Sequence, residues 1–205
     1  MIFKIRFGLV FLFVLFLFAC GKGRSPMSLE NPQILKAGPF SGKSDSSGKV
    51  GKSSSQELSS EIPMSNEQMK EWIPEKVGDL EQRKLIVGHK KGMGMSGAIS
   101  TYSEKISEGR QVSMEVLDGA GATGAVMINS IIQKLMPDYE EKKANGYSKI
   151  YEREGMRVWE KLNLSDDYAE IEFVSRGRFH FIFKGYQISL EELWVFIAEV
   201  KEEMS

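Results

Sequence analysis

Residues 169–186 read AEIEFVSRGRFHFIFKGY and carry the clearest fold signal in the chain. Apolar and polar residues alternate on both sides of a central Ser-Arg-Gly link. This period of two is typical of strands with one buried face, and a short glycine-containing link between two of them predicts a hairpin. We therefore predict antiparallel strands at 169–174 and 178–186. Three side chains of the second strand are expected to face the core: Phe179, Phe181 and Phe183.

The same kinds of pattern predict five more strands and three helices after residue 60. The strands are predicted at 84–89, 96–102, 111–117, 147–153 and 156–161. The helices are predicted from a capping box at Ser65 and Gln68, from an apolar stripe over 125–136, and from a capping serine at 189. Hairpin-length links favour an α+β fold, with an antiparallel sheet of about six to seven strands and packed helices. This element order loosely resembles the small PsbP/Mog1-type α+β sandwiches, a likeness that implies no function.

The start of the chain predicts a signal peptide at residues 1–19. Lys4 and Arg6 precede an uncharged run at 7–19, which is apolar apart from Gly8 and covers about 20 Å as a helix. A membrane-spanning helix needs about 20 apolar residues. The run is therefore short for a span and has the length of a signal-peptide core.

The apolar run ends in Leu17-Phe18-Ala19-Cys20, which resembles the lipobox of bacterial lipoproteins. The resemblance implies cleavage before Cys20 and lipid attachment to its sulfur. Cys20 is the only cysteine in the chain, and a lone cysteine in an exported protein is otherwise unusual. We expect Cys20 to hold the protein on a membrane, and the absence of aspartate at the next position favours the outer membrane over the inner membrane in a host that has both. An uncleaved membrane anchor with an incidental cysteine is the alternative.

Residues 20–60 predict a flexible, lipidated tether rich in serine, glycine and lysine. Positions 41–60 contain nine serines and three glycines with almost no apolar side chains, a composition that favours disorder. Residues 21–60 carry a net charge of +3 and residues 61–205 a net charge of −6. We predict that 61–205 forms a single α+β domain, whose acidity argues against a nucleic-acid partner.

One glycine-rich motif has the spacing of a cofactor site. Residues 119–124 read GAGATG, follow a predicted strand and precede a predicted helix, as in dinucleotide-binding loops. An acidic residue about 20 positions later and a parallel strand–helix–strand unit are both missing, so close helix packing is the alternative. A second match at 92–97 is interpreted as a hairpin loop. Gly-Lys-Ser copies at 41–44 and 50–53 lack the earlier glycine of a phosphate loop.

The remaining polar residues predict no catalytic or metal centre. His89 and His180 have no partner at metal-ligand spacing, and His180 is expected on the solvated side of its strand. Asp166 and Asp167 are expected in a turn, and the Glu-Glu-Lys-Lys run at 140–143 on the surface.

The aromatic residues leave two interpretations open. Trp72, Trp159 and Trp194, with the phenylalanines of the last strand, could line a pocket for an apolar or glycan ligand; packing in the core is favoured. We expect a non-enzymatic, membrane-anchored envelope lipoprotein that binds another envelope component and uses no cofactor. The alternatives are a periplasmic carrier of a small apolar ligand and an enzyme that uses the loop at 119–124.

Overall fold

The computed structural model describes residues 56–88, 95–104 and 109–204. The helices are α1 (Asn66–Trp72), α2 (Gly121–Leu135) and α3 (Leu190–Glu203), and residues 56–60 are also helical. The strands are β1 (Lys76–Val77), β2 (Leu80–Val87), β3 (Ser96–Ser103), β4 (Gln111–Asp118), β5 (Tyr139–Lys143), β6 (Gly146–Arg153), β7 (Met156–Asn163), β8 (Tyr168–Ser175) and β9 (Phe179–Tyr186).

All nine strands belong to one antiparallel sheet in the order β1-β2-β3-β4-β9-β8-β7-β6-β5. Two meanders, β1 to β4 and β5 to β9, meet where β4 pairs with β9. Helix α2 carries the chain from β4, in the middle of the sheet, to β5 at its far edge. The predicted α+β class with an antiparallel sheet is confirmed.

The predicted count of six to seven strands is wrong, because two strands lack the apolar alternation from which strands are predicted. Strand β1 is only two residues long. Strand β5 contains the charge run at 140–143 and is largely exposed on both faces at the sheet edge. An edge strand of this kind has no apolar alternation and reads as a charged loop.

Helices α1 and α3 begin at capping boxes. The side chain of Ser65 accepts from the Gln68 amide at 3.2 Å, and the Gln68 side chain accepts from the Ser65 amide at 2.8 Å, so the predicted capping box is confirmed. Ser189 and Glu192 form a second box before α3. Helix α2 begins at Gly121, four residues before the predicted start, so the glycine-rich motif supplies its first turn.

Helices cover both faces of the sheet. Phe173 and Phe183 belong to the main core beneath α1 and α3, together with Leu193 and Phe196 of α3. Burying each such side chain contributes about 1.5–3 kcal/mol. Successive strand residues point to opposite faces, and Val174, next to Phe173, packs against a smaller cluster on the α2 side.

The smaller cluster shows where folded structure begins among the described residues. Leu58, at 7 % exposure, packs with Ala120, Ala125 and Ile128. The folded body therefore reaches into the last residues of the predicted tether. Every residue of both clusters lies between Leu58 and Met204, so a chain that begins at Gly21 retains all the core residues that the structure describes.

Candidate functional site

The glycine-rich motif at 119–124 forms a tight joint between β4 and α2. A methyl group on Gly119 would lie 2.7 Å from the carbonyl oxygen of Arg178, and one on Gly124 would lie 2.7 Å from the carbonyl carbon of Gly119. Gly121 has a φ of +81°, which glycine adopts without steric cost. Close packing of the helix against the loop and β9 accounts for Gly119 and Gly124, and the left-handed backbone conformation accounts for Gly121.

A fully buried carboxylate, that of Asp118, closes the joint. Its Oδ1 accepts hydrogen bonds from the Ala120 amide at 3.0 Å and from Nε of Arg178 at 2.7 Å. Its Oδ2 accepts from Nη2 of Arg178 at 2.9 Å and from the Met64 amide at 2.8 Å. Glu61 pairs with the same guanidinium. Burial raises the pKa of Asp118, but these hydrogen bonds outweigh it and hold the pKa below its usual value.

This joint is poorly suited to a dinucleotide. A dinucleotide-binding loop joins a strand to a helix that leads to a parallel strand, whereas all strand pairs of the described sheet are antiparallel. A bound pyrophosphate also uses the amides at the helix N-terminus. Here the Ala120 amide already binds the Asp118 carboxylate, whose negative charge would repel a phosphate.

An aromatic cavity of about 240 Å³ lies between α1, the end of α3 and the sheet. We call it the aromatic cavity and define it by its lining residues: Trp72, Phe173, Ser175, Arg176, Phe179, Phe181, Phe183, Val200, Lys201 and Met204. The Trp72 ring lies 4.7 Å from the Phe179 ring between centroids, and its Nε1 donates to the Met204 carbonyl at 3.0 Å. That hydrogen bond fixes α1 to the end of α3 across the cavity.

Alternate side chains of β9 form the floor of the cavity. Phe179, Phe181 and Phe183 project to one face of the sheet, and Phe173 of β8 lies 5.6 Å from Phe181 between ring centroids. The sequence predicted this face, and it offered pocket and core as alternatives. The core prediction is confirmed for Phe181 and Phe183, which are buried core residues and also line the cavity.

Both charged side chains in the cavity lining are cations. The Lys201 ammonium lies 5.0 Å from the centroid of the Phe173 ring and 3.6 Å from Sδ of Met156. Burial lowers the pKa of Lys201. Arg176 is exposed at the tip of the β8–β9 turn. The cavity therefore combines an apolar aromatic floor with a positive rim.

A second polar cluster surrounds Glu160, which is 1 % exposed on β7. Its carboxylate accepts from the hydroxyls of Tyr147 and Tyr151, both at 2.7 Å, and from Nε1 of Trp194 at 3.2 Å. The Lys149 ammonium lies 2.8 Å away. Burial, followed by the hydrogen bond to Glu160, raises the pKa of Tyr151 to about 12. The cluster lies beside an open groove of about 650 Å³, but its polar atoms satisfy one another.

His180 is buried, so the prediction of a solvated histidine is wrong. It is 9 % exposed, and its Nε2 lies 2.9 Å from the buried Glu172 carboxylate. Lys134 of α2 donates to the same carboxylate at 2.7 Å. The polar side of β8 and β9 looked solvated in the sequence because that pattern does not reveal the helix that covers it. No group of three or more potential metal ligands occurs in the described part of the chain.

The other candidate residues from the sequence lie apart from the aromatic cavity or outside the described residues. Trp159 lies on the opposite face of the sheet from Trp72, where Lys134 sits 4.2 Å from its ring centroid. Asp166 and Asp167 lie in the turn before β8, as predicted. Several candidates fall outside the described residues: Cys20, His89, positions 92–94, and the Gly-Lys-Ser copies at 41–44 and 50–53.

No family model, curated protein or solved structure matches the chain. Within the described ranges, no helix has both the length and the apolar character needed to cross a membrane. The lipobox resemblance and the PsbP/Mog1-type likeness therefore stay predictions from the sequence.

Proposed function

We propose that the protein is a lipid-anchored lipoprotein of the cell envelope and that its body is a non-enzymatic binding module. The observation that supports the anchor is the sequence of residues 1–20, in which a charged start and a short apolar run lead to the single cysteine, Cys20. Two or more acyl chains hold a protein stably on a membrane, where one chain binds only marginally. The tether at 20–60 then separates the acidic body from the lipid surface.

Mass spectrometry of the protein extracted from its own membranes tests the anchor. The expected mass corresponds to a chain that starts at Cys20 and carries a diacylglyceryl group, and Cys20→Ser should abolish both the added mass and the cleavage. A wild-type chain that retains residues 1–19 and a bare thiol would contradict the proposal. The outer membrane, favoured by Gly21, should hold most of the protein after membrane fractionation.

The aromatic cavity favours a second, more specific role as a carrier of a small apolar ligand. Its volume of about 240 Å³ is below the roughly 300–1,000 Å³ of sites for drug-sized ligands. At about 30 Å³ per water-sized group, it has room for about eight non-hydrogen atoms. Its aromatic floor offers apolar surface of the kind that binds hydrocarbon or a single ring.

A matched pair of valine substitutions tests the carrier role. Val200 lines the cavity and is buried, whereas Val126 is 67 % exposed on α2. Val200→Phe should fill the cavity and abolish binding of octanol to the chain from Gly21, measured by calorimetry, while Val126→Phe should leave binding unchanged. Native mass spectrometry of the unmodified protein should also show a small co-purifying molecule.

The carrier role fails if octanol does not bind the wild-type chain, or if Val200→Phe folds normally and binds as well as Val126→Phe. Enzymatic activity is a separate question. A reproducible hydrolytic or redox activity of the purified chain would contradict the binding-module proposal.

A further inference from the structure

The two edges of the sheet differ in length and in exposure. Strand β1 ends one side with only two residues, of which Val77 is buried. Strand β5 ends the other side with five residues, and four of them are exposed. In the described part of the chain, β5 has a neighbouring strand, β6, on one side only. An edge strand of this kind is a template for pairing with a further strand.

The charges of β5 are arranged as pairs of opposite sign. Successive side chains alternate between the two faces of the sheet, so Glu140 and Lys142 share one face, and Glu141 and Lys143 share the other. The charged groups lie 3.0 Å apart in the first pair and 3.2 Å apart in the second, with side chains that are 43–80 % exposed. Exposed ion pairs contribute little to stability. These side chains therefore lose little when they exchange partners with a complementary strand.

Symmetry limits how the β5 strands of two copies pair. Two such strands join antiparallel in one closed assembly when a two-fold axis runs perpendicular to the sheet, and this axis keeps every side chain on its own face. Residues that face each other across the axis are therefore an even number of positions apart in the sequence. Opposite charges that face each other stabilise a strand pair, whereas like charges destabilise it.

One register brings the charges of β5 together favourably. With the axis at Glu141, Glu140 faces Lys142 of the second copy, and Tyr139 faces Lys143 of the second copy, each contact occurring twice. The second contact sets an ammonium against an aromatic ring, which attracts it. Only Glu141 faces its own equivalent. Moving the axis by one residue in either direction loses both contacts between Glu140 and Lys142.

We propose that a second copy of the protein pairs with the β5 edge, antiparallel about a two-fold axis at Glu141, and joins the two sheets into one. Tyr147 and Lys149 of β6 lie opposite Lys142 and Glu140 and line the open groove beside α3. The axis therefore places the grooves of both copies on the same face of the joined sheet. Pairing through five residues makes a small interface, which is typical of weak association. The proposal goes beyond the anchor and the carrier role and depends on neither.

An engineered disulfide tests the position of the axis. The chain from Gly21 has no cysteine, because Cys20 is the only one, so Glu141→Cys places the single thiol of each copy opposite the other. Directly opposite Cβ atoms of an antiparallel pair lie about 4.5–5.5 Å apart, close to disulfide distance. With oxidised glutathione as the oxidant, Glu141→Cys should form a covalent dimer about tenfold faster than Glu152→Cys. Glu152 is the matched control, an exposed glutamate on the same face but on the inner strand β6.

Charge reversals test the register in solution. Sedimentation equilibrium of the chain from Gly21 at low salt should show dimers that increase with protein concentration. Glu140→Lys and Lys142→Glu each place like charges opposite each other and should weaken self-association about tenfold. An equimolar mixture of the two variants restores opposite charges and should associate about as tightly as the wild type. Glu140→Lys also lowers the net negative charge of the chain, so general repulsion does not explain its loss of association.

Several results would overturn the proposal. One is a wild-type chain that stays monomeric at millimolar concentration, and another is cross-linking of Glu141→Cys no faster than that of Glu152→Cys. A mixture of Glu140→Lys and Lys142→Glu that stays monomeric while circular dichroism shows both variants folded would also overturn it. A dimer that survives each single reversal uses another surface and overturns it as well. The anchor and the carrier role have their own measurements and are unaffected by these outcomes.

Discussion

The glycine-rich joint and the aromatic cavity are neighbours with opposite character. They meet at consecutive residues, since Arg178 pairs with Asp118 and its guanidinium lies 5.0 Å from the Phe179 ring of the cavity. In the joint, the polar groups bind one another and the backbone leaves no room for a methyl group at Gly124. In the cavity, aromatic rings line a half-open space of about 240 Å³, and both charged residues of the lining, Arg176 and Lys201, are cations.

This contrast shows that a sequence motif with the spacing of a cofactor loop need not form a binding site. The motif at 119–124 has the more specific spacing in the sequence, yet its Ala120 amide binds the Asp118 carboxylate, which also binds the Met64 amide and so ties α2 to β4 and to the segment near Met64. The cavity has no motif, since alternating phenylalanines read as ordinary core. Whether a region leaves space for a ligand depends on how the whole fold packs around it.

The largest expected loss of stability comes from removing the carboxylate of Asp118 from the joint. Asp118→Ala removes the buried carboxylate that binds Arg178, Met64 and Ala120, and leaves the partly buried arginine paired with the more exposed Glu61. Loss of one partner of a buried ion pair costs about 3–5 kcal/mol. Urea unfolding of the chain from Gly21, followed by tryptophan fluorescence, measures this loss.

Asp138→Ala is the matched control. Asp138 also pairs with an arginine, Arg157 at 2.7 Å, but its side chain is 87 % exposed. Exposed ion pairs contribute about 0–1 kcal/mol. Similar losses for the two variants would show that the joint is no more important to stability than a surface contact.

The Glu160 cluster is a second self-satisfied region, and acid should weaken it. Burial raises the pKa of Glu160, but hydrogen bonds from Lys149, Tyr147, Tyr151 and Trp194 outweigh it and lower the pKa. A carboxylate whose pKa is lower in the folded state stabilises the protein above its unfolded pKa. That stability is lost as the pH falls below about 4.3 and through the folded value.

Glu160→Gln should therefore cost about 1.5–3 kcal/mol at pH 7, the range for hydrogen bonds to a charged group. It should also unfold with a smaller dependence on pH than the wild type below pH 4.3 or so. Urea titrations at several pH values compare the two proteins. Parallel pH profiles would show that Glu160 does not carry the acid sensitivity, and Asp118 and Glu172, whose pKa values are also lowered, would then account for it.

A smaller loss of stability is expected when a methyl group is added at Gly124, against the backbone of the joint. Gly124→Ala places a methyl group 2.7 Å from the carbonyl carbon of Gly119, and overpacking costs about 1–3 kcal/mol. Alanine is the better helix former by about 1 kcal/mol, so the net loss should be about 0–2 kcal/mol. Thr123→Ala, at the exposed neighbour, should be neutral or stabilising. A stabilised Gly124→Ala variant would contradict the close-packing explanation of the motif.

Local signals predicted much of this fold. The capping box at Ser65 and the alternating phenylalanines of β9 act over a few residues, so short stretches of sequence contain all that defines them. Strand β5 was not predicted from the sequence because an exposed edge strand needs no apolar face. The early start of α2 was not predicted because glycine and alanine give no apolar stripe.

The polar clusters could not be predicted because they join distant positions. Asp118 and Arg178 are sixty residues apart, and Glu172 looks like an ordinary solvated strand residue until α2 lies over it. The same limit applies to the cavity. The phenylalanines of β9 indicated an aromatic face, but the approach of Trp72 and of Lys201 depends on how α1 and α3 pack.

The smallest expected effect is the response of the joint to pyrophosphate. If the joint is closed by its own carboxylate, millimolar pyrophosphate or a nicotinamide dinucleotide should leave the midpoint of thermal unfolding unchanged within error. A ligand at one hundred times its dissociation constant would add about 2.7 kcal/mol to stability, which such a measurement detects readily. Gly121→Val is the control, because a saturable shift that disappears in a folded Gly121→Val protein would place a phosphate at the loop. That result would reverse the comparison, since the Asp118 carboxylate would then have to leave the Ala120 amide to admit the ligand.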